Sequence, residues 1–264
     1  MAIAFPDLDP AAIRLGPLVI RWYALAYITG LVGGWKYVRW MVAKPPFAMQ
    51  GEQVDDFLVW ATLGTVLGGR LGYVLFYKPL YYLSAPADIF AVWQGGMSFH
   101  GGALGVFAAV FLFARRHHIG LGAMADAIAP AAPIGLFFGR IANFINGELY
   151  GRVAPDDLPW AVIFPGGGSL PRHPSQLYEA GLEGLLLFAV LGLVWRVEAL
   201  RLRTGLLTGV FLLGYGLARV IAEFFRQPDA HLGFLWGGAT MGQLLSLPFI
   251  LAGGVVILRA SRGP

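Results

Sequence analysis

The sequence contains no cysteine, which excludes a disulfide framework, a thiolate nucleophile of its own and a Cys-ligated metal. Charge is scarce as well. Only 13% of the 264 residues are Asp, Glu, Lys or Arg, against about 25% in an ordinary soluble domain. Charged side chains are rarely fully buried, so a water-exposed globule of this length could not clothe itself with so few. Histidine is limited to His100, His117, His118, His173 and His231, without an HxxxH or HExxH spacing. There is no Walker-type Gly-rich loop ending in Lys and no GxSxG. The net charge of +4 is modest and reads as anchoring of cytoplasmic loops rather than as a nucleic-acid footprint, so no nucleic-acid partner is expected. The first ten residues carry two Asp and no basic residue, so no cleavable signal peptide is expected.

What fills the chain instead is apolar surface: 57% hydrophobic residues and a mean hydropathy of +0.66. A spanning helix needs about 20 apolar residues. Long apolar stretches fall at about 17–38, 57–77, 98–114, 124–145, 176–195, 205–225 and 238–258. The fold class is therefore an all-α integral membrane protein of about seven transmembrane helices, forming a single polytopic membrane domain over 1–264. The longest polar connection, with five prolines between 155 and 174 and a Gly run at 166–168, reads as a small outer loop or cap at about 146–175. Basic residues orient the bundle. One set of connections holds nine Lys and Arg, from Arg39 to Arg262, and the other holds five, from Arg14 to Arg226. The positive-inside rule then sets a periplasmic N-terminus and a cytoplasmic C-terminus.

Ionisable groups at membrane depth are costly and mark functional sites by default. At a rise of about 1.5 Å per residue, Arg70, Arg140 and Arg219 lie roughly 20–24 Å from the inner surface. Tyr23, His100, Tyr178, Glu179 and Glu183 occur early in helices that run inward, and Asn143, Glu223 and Arg226 approach the outer surface. All of them fall in the outer half of the bilayer, where a site would meet headgroups of outer-leaflet lipid. Plainer readings stand beside these. Arg219–Glu223 also reads as an ion pair orienting two helices. Glu183 reads as a helix contact to Arg70 or Arg140. Asp126 reads as an N-terminal cap, and His117, His118 and His231 read as solvated surface. His100, set between glycines in GGMSFHGG, reads as functional.

Residues 139–152 carry the densest polar chemistry, GRIANFINGELYGR. Both asparagines of the chain, Asn143 and Asn146, lie here with Arg140, Glu148, Gly151 and Arg152. Arg offers a planar fork for phosphate oxygens, and Gly exposes backbone N–H groups to an anion.

This segment resembles the signature of the bacterial prolipoprotein diacylglyceryl transferases. The resemblance extends in order along nearly the whole chain: RWYALAY at 21–27, GGRLGYVLFY around Arg70, GGMSFHGG around His100, PRHPSQLYE ending at Glu179, RVIAEFFRQPD from Arg219, and Met241-Gly-Gln. Ala142 and Tyr150 depart from a common Gly and Trp, and the outer loop is shorter than in some members. The resemblance implies transfer of the diacylglyceryl group of phosphatidylglycerol to the lipobox cysteine of a preprolipoprotein signal peptide. A thioether forms and glycerol 1-phosphate is released, in the bacterial cytoplasmic (inner) membrane. The implied partners are phosphatidylglycerol, the preprolipoprotein and membrane lipid; no cofactor or metal is implied.

Carried onto this chain, the catalytic candidates are Tyr23, His100, Arg140, Asn143, Glu148 and Arg219. The candidates for binding phosphatidylglycerol are Arg70, Arg140, Asn143, Gly151, His173, Arg219, Glu223 and Arg226. The general base is left open between His100, Glu148 and a thiol acidified by Arg charge alone. Arg140→Ala is expected to abolish transfer with the fold intact, and His100→Gln to shift the pH–rate profile. Two rival readings are a small-molecule transporter gated at Arg219–Glu223 and a non-catalytic lipid-binding scaffold. The inner half lacks the polar lining a transporter needs, and a scaffold would tolerate loss of His100.

Overall fold

The computed structural model describes residues 2–262 apart from Asp7, Pro17 and 229–232. His231, read above as surface, lies outside the described residues. In chain order the elements are β1 (Ile3–Ala4), β2 (Ala11–Leu15), β3 (Leu18–Arg21), α1 (Trp22–Val42), α2 (Gly51–Phe76), α3 (Pro79–Ser84), α4 (Phe99–Arg116), α5 (Leu121–Ile128), α6 (Ala132–Ile145) and β4 (Val162–Ile163). There follow α7 (Ser175–Glu179), a π-helical segment (Ala180–Leu186), α8 (Leu187–Arg196), α9 (Glu198–Arg201), α10 (Leu206–Glu223) and α11 (Met241–Arg262).

Among the described residues, five stretches are long and apolar enough to cross a membrane: Gly51–Phe76, Leu121–Ile145, Ser175–Arg196, Leu206–Glu223 and Met241–Arg262. Two more predicted spans form helices, α1 and α4, but these carry Lys36 with Arg39 and His100 with Arg115 and Arg116 within their length. The structure is mostly helical, as expected, with four short strands among the described residues. Antiparallel β2 and β3 occupy the ground where the first span was predicted to start, so its helix begins at Trp22 rather than at 17. Gly16, at φ +58°, makes the turn that pairs Leu15 with Leu18 and starts the hairpin.

The chain divides into two compact units, 38–127 and the remainder. In the first, α2 and α4 meet through glycine. Gly64, Gly68 and Gly72 line one face of α2, and Gly101 and Gly105 face them from α4. A Cβ on Gly68 would sit 2.8 Å from the Gly105 Cα, and one on Gly72 would sit 2.7 Å from the Gly101 Cα. Small residues at this spacing let two backbones touch, which is how apolar helices associate when lipid removes the hydrophobic drive. Asp126 is buried in the middle of α5 and does not cap it, correcting the sequence reading. His117 is likewise not simply solvated. It caps the C-terminus of α4, half-buried, with its ring 4.1 Å from that of Phe113.

In the second unit, α10 and α11 pack on a similar principle, with Gly209 and Gly216 against Ile257 and Ile250. A span is interrupted between α5 and α6 by a 3₁₀ turn at Ala129–Ala131, with Pro130 in it and Pro133 just beyond. Proline cannot continue the hydrogen-bond ladder, so the helix must break here. The predicted cap is ordered: β1 pairs in parallel with β4, and the Phe5 ring lies 5.7 Å from Phe144 and 5.4 Å from Phe164.

Candidate functional site

Polar side chains of the larger unit converge at the C-terminal ends of α6 and α10 and at the start of the stretch Ser175–Arg196. α6 brings Arg140, Asn143 and, just past its end, Asn146. Glu179 closes α7, and Glu183 follows in the π-helical segment, whose wide turn keeps the two carboxylates on one face. Gly184 makes room for this approach, since a Cβ there would lie 2.7 Å from the Phe137 Cβ on α6. α10 supplies Arg219 and Glu223, and Arg226 comes from the turn after it.

These groups form one ionic cluster. Arg140 Nε meets Glu179 Oε2 at 2.8 Å, and its Nη2 meets Glu183 Oε2 at 3.3 Å. Arg219 Nη1 lies 3.0 Å from Glu179 Oε2 and 3.6 Å from Glu183 Oε1, while its Nη2 meets Glu223 Oε1 at 2.5 Å. Arg226 Nη1 approaches Glu179 Oε1 at 3.6 Å, and its Nε lies 3.9 Å from Glu223 Oε1. The Thr240 hydroxyl donates to Glu223 Oε2 at 2.7 Å. The carboxylates are buried, with Glu183 at 0% exposure. The guanidinium groups keep a small accessible edge, 17% for Arg140. Buried charges persist only when paired, and three positive groups here answer three negative ones.

A second polar cluster adjoins the first through α6. The Asn143 side-chain amide donates to Glu148 Oε1 at 2.8 Å, and Gln176 Nε2 donates to the Glu148 carbonyl at 2.6 Å. Tyr23 lies close to Asn143, Arg140 and Glu148. An open cavity of about 580 Å³ is lined by Arg21, Tyr23, Tyr27, Asn146 and Glu148 among others. The cap is tied to the end of α10 by arginines. Arg152 donates to the Arg226 and Glu223 carbonyls at 2.9 Å each, and Arg172 Nη1 donates to Gln227 Oε1 at 3.3 Å.

The remaining predicted residues fall as follows. His173 hydrogen-bonds the Tyr178 hydroxyl at 3.2 Å, and partial burial pushes its imidazole below the ordinary pKa. His100 lies in the other unit, exposed in the first turn of α4 with the Phe99 ring at 5.7 Å. Two further candidates have partners within the protein. Gly151 does not present its N–H to an anion: that N–H donates to the His173 carbonyl at 2.9 Å, and a Cβ would meet the Phe225 carbonyl oxygen at 2.6 Å. Gly151 is where two chain segments cross. Arg70 is buried, and its guanidinium donates to the carbonyls of Ile89 (2.9 Å), Asp88 (2.6 Å), Gly95 (2.5 Å) and Gly96 (3.2 Å). It clasps a loop.

The sequence reading also undervalued two residues. Glu179, absent from the candidate set, touches all three arginines, and Thr240 anchors Glu223. For Glu179 a signal was available: Glu179 and Glu183 are four apart within an apolar span, a spacing that demands cationic partners.

The elements and the cluster define a mostly helical protein, with five membrane-crossing candidates among the described residues and a buried arginine–carboxylate network beside an open cavity. The chain belongs to the prolipoprotein diacylglyceryl transferase family, whose sequence profile it matches over residues 10–259. It is 66% identical over 261 residues to a phosphatidylglycerol–prolipoprotein diacylglyceryl transferase of Paramagnetospirillum magneticum, covering 99% of this chain and 97% of that one. The protein of the same name from Rhodospirillum rubrum is 59% identical, with 99% and 95% covered, and that from Azospirillum brasilense 57%, with 100% and 98% covered.

Proposed function

We propose that the chain transfers the diacylglyceryl group of phosphatidylglycerol to the thiol of a prolipoprotein cysteine, the first step of lipoprotein maturation. One observation carries the site assignment: three guanidinium groups, one from α6 and two from α10 and its following turn, converge within 3.6 Å of one buried carboxylate. Such a water-poor, preorganised cluster is the environment that a developing phosphate charge requires. The family match and the identities quoted above support the reaction class.

The reaction makes three demands. The thiol, with an ordinary pKa of about 8.5, must lose its proton. The glyceryl carbon that bears the phosphate oxygen must be held in line with sulfur. As the carbon–sulfur bond forms and the carbon–oxygen bond breaks, glycerol 1-phosphate departs with the bonding pair, and its charge must be stabilised. Arg140 and Arg219 face the phosphate, and Arg226 guides the headgroup in from the interface. Glu223 orients Arg219. Asn143 and Glu148 hold the glycerol, and Tyr23 hydrogen-bonds the phosphate or the leaving group from the rim of the cavity. His173 supports the headgroup side of the cap. The thiol proton passes to His100 or Glu148, or the arginine field alone acidifies the thiol.

The acceptor is the lipobox cysteine of a preprolipoprotein still carrying its signal peptide, which fits a protein with no cysteine of its own. The chain forms one polytopic domain of seven spans in the bacterial cytoplasmic membrane. Its N-terminus is outside, its C-terminus inside, and the site lies in the outer half of the bilayer. Mass spectrometry of a lipobox peptide incubated with the purified protein and phosphatidylglycerol tests the reading. A gain of one diacylglyceryl mass, absent from a Cys→Ser peptide, is the expected result. A folded protein that adds no mass would overturn it.

A further inference from the structure

Among the described carboxylates, Glu179 alone meets all three arginines of the cluster. Glu183 touches Arg140 and Arg219, and Glu223 touches Arg219 and Arg226. Glu179 therefore occupies the point of highest positive potential. Its attachment also differs in kind. Glu223 is fixed by the Thr240 hydroxyl at 2.7 Å, and Glu183 Oε2 accepts from Arg140 Nη2 at 3.3 Å. Neither oxygen of Glu179 receives a hydrogen bond of good geometry, although the residue is 1% exposed. It is held by charge rather than by direction, as an exchangeable ion would be.

We propose that the Glu179 carboxylate stands in for the lipid phosphate: it holds Arg140, Arg219 and Arg226 together and yields that position, taking up one proton, when an anionic headgroup binds. This inference rests on the transferase reading. Three arginines and three glutamates make the cluster formally neutral. A phosphodiester adds one negative charge to a site where unpaired charge is strongly disfavoured. Neutralising one carboxylate restores the balance, and the carboxylate at the phosphate position is the one to lose its partners. The groups facing Glu179 are Arg140 from α6, Glu183 one turn along its own segment, Tyr215, Arg219 and Glu223 from α10, and Arg226 beyond it. Three of them are cations that a bound phosphate would draw away. The proton comes from solvent and returns there when the phosphate product leaves. Glu179 is a positioning residue in this scheme, since it touches the arginines and not the reacting atoms.

The test is calorimetric binding of glycerophosphoglycerol, the deacylated headgroup, to the full-length protein in detergent. This phosphodiester has one fixed charge, so any proton uptake belongs to the protein. Titration in two buffers of different ionisation enthalpy should show about one proton taken up per headgroup, with affinity weakening as pH rises. Glu179→Gln should abolish uptake, flatten the pH dependence and tighten binding at pH 8. Glu183→Gln and the charge-conserving Glu179→Asp should retain uptake. Uptake that survives in Glu179→Gln, or that is lost in Glu183→Gln instead, would overturn the proposal, as would weaker binding by Glu179→Gln at pH 8. If that variant does not fold, loss of uptake in Glu179→Asp decides against the proposal and its retention decides for it. Wild-type protein that transfers diacylglyceryl yet binds the headgroup without uptake would sink this inference alone. Wild-type protein that does not transfer would sink the functional reading with it.

Discussion

Arg219 and Glu223 stand one turn apart on α10, and Arg219 Nη2 meets Glu223 Oε1 at 2.5 Å while the other Glu223 oxygen is fixed by Thr240. The pair thus joins α10 to the residue that precedes α11. It aims one guanidinium edge at Glu223 and leaves the other for Glu179 and Glu183. Structural and functional roles coincide in a single contact.

Arg140 illustrates the consequence. The sequence reading expected Arg140→Ala to spare the fold. The structure corrects this, because Arg140 neutralises two carboxylates that are at most 1% exposed. Removing one partner of a buried ion pair costs about 3–5 kcal/mol. Arg140→Ala should therefore lose both activity and thermal stability. Arg140→Lys keeps the charge but not the planar fork. It should retain most of its stability while transfer falls by about 100-fold or more. Thermal unfolding alongside the lipobox assay separates the two effects.

Gly242 bears on the same cluster from α11. A Cβ there would lie 2.5 Å from a Glu223 carboxylate oxygen. Gly242→Ala should push Glu223 off Arg219 and lower transfer without touching any proposed substrate contact. Thr240→Val, which removes only the hydroxyl bond, should cost about 1 kcal/mol of stability and a smaller share of activity. Equal activity for wild type and Gly242→Ala would count against Glu223 as the residue that orients Arg219.

The contact between α2 and α4 makes a purely structural prediction. A Cβ on Gly105 would be driven into the Gly64 carbonyl, so Gly105→Ala must part the helices. Overpacking of this kind typically costs about 1–3 kcal/mol. A lowered unfolding midpoint is expected, larger than for alanine at Gly254, where nothing lies within 4 Å of the new Cβ.

His173 carries a pH dependence of stability. Burial lowers its pKa from the ordinary 6.5, so the folded protein favours the neutral ring. Below 6.5 the unfolded chain binds the proton more readily than the folded one. Stability is therefore complete above 6.5 and declines as pH falls through the folded pKa. The unfolding midpoint should drop less between pH 7.5 and 5.5 in His173→Gln than in the wild type. An identical drop in both would remove His173 as a contributor.

Much of the helical framework was legible in the sequence because apolar runs announce themselves: 57–77 became Gly51–Phe76, 205–225 became Leu206–Glu223, and 238–258 became Met241–Arg262. The N-terminal hairpin was not, since Leu15 and Val19 suit a strand and a helix equally in composition. Among the polar residues, Arg140, Asn143, Glu148, Arg219, Glu223 and Arg226 could be singled out one by one from their depth. Their partners could not, because charge pairing depends on which faces three separate segments turn toward one another. Arg70 shows the limit most plainly. From its depth it resembled Arg140, yet its partners are carbonyls 18–26 residues along the chain, and only the loop's path reveals that they surround it.

The most direct measurement compares wild type with Arg219→Lys in the lipobox assay, at matched folded concentration. This variant preserves the buried charge that balances Glu179, Glu183 and Glu223, and it removes the fork aimed at the phosphate. If the cluster stabilises the departing phosphate, the diacylglyceryl adduct should form on the cysteine with the wild type and about 100-fold or more slowly with Arg219→Lys. A folded Arg219→Lys enzyme that transfers at the wild-type rate would contradict the assignment of this cluster as the phosphate site.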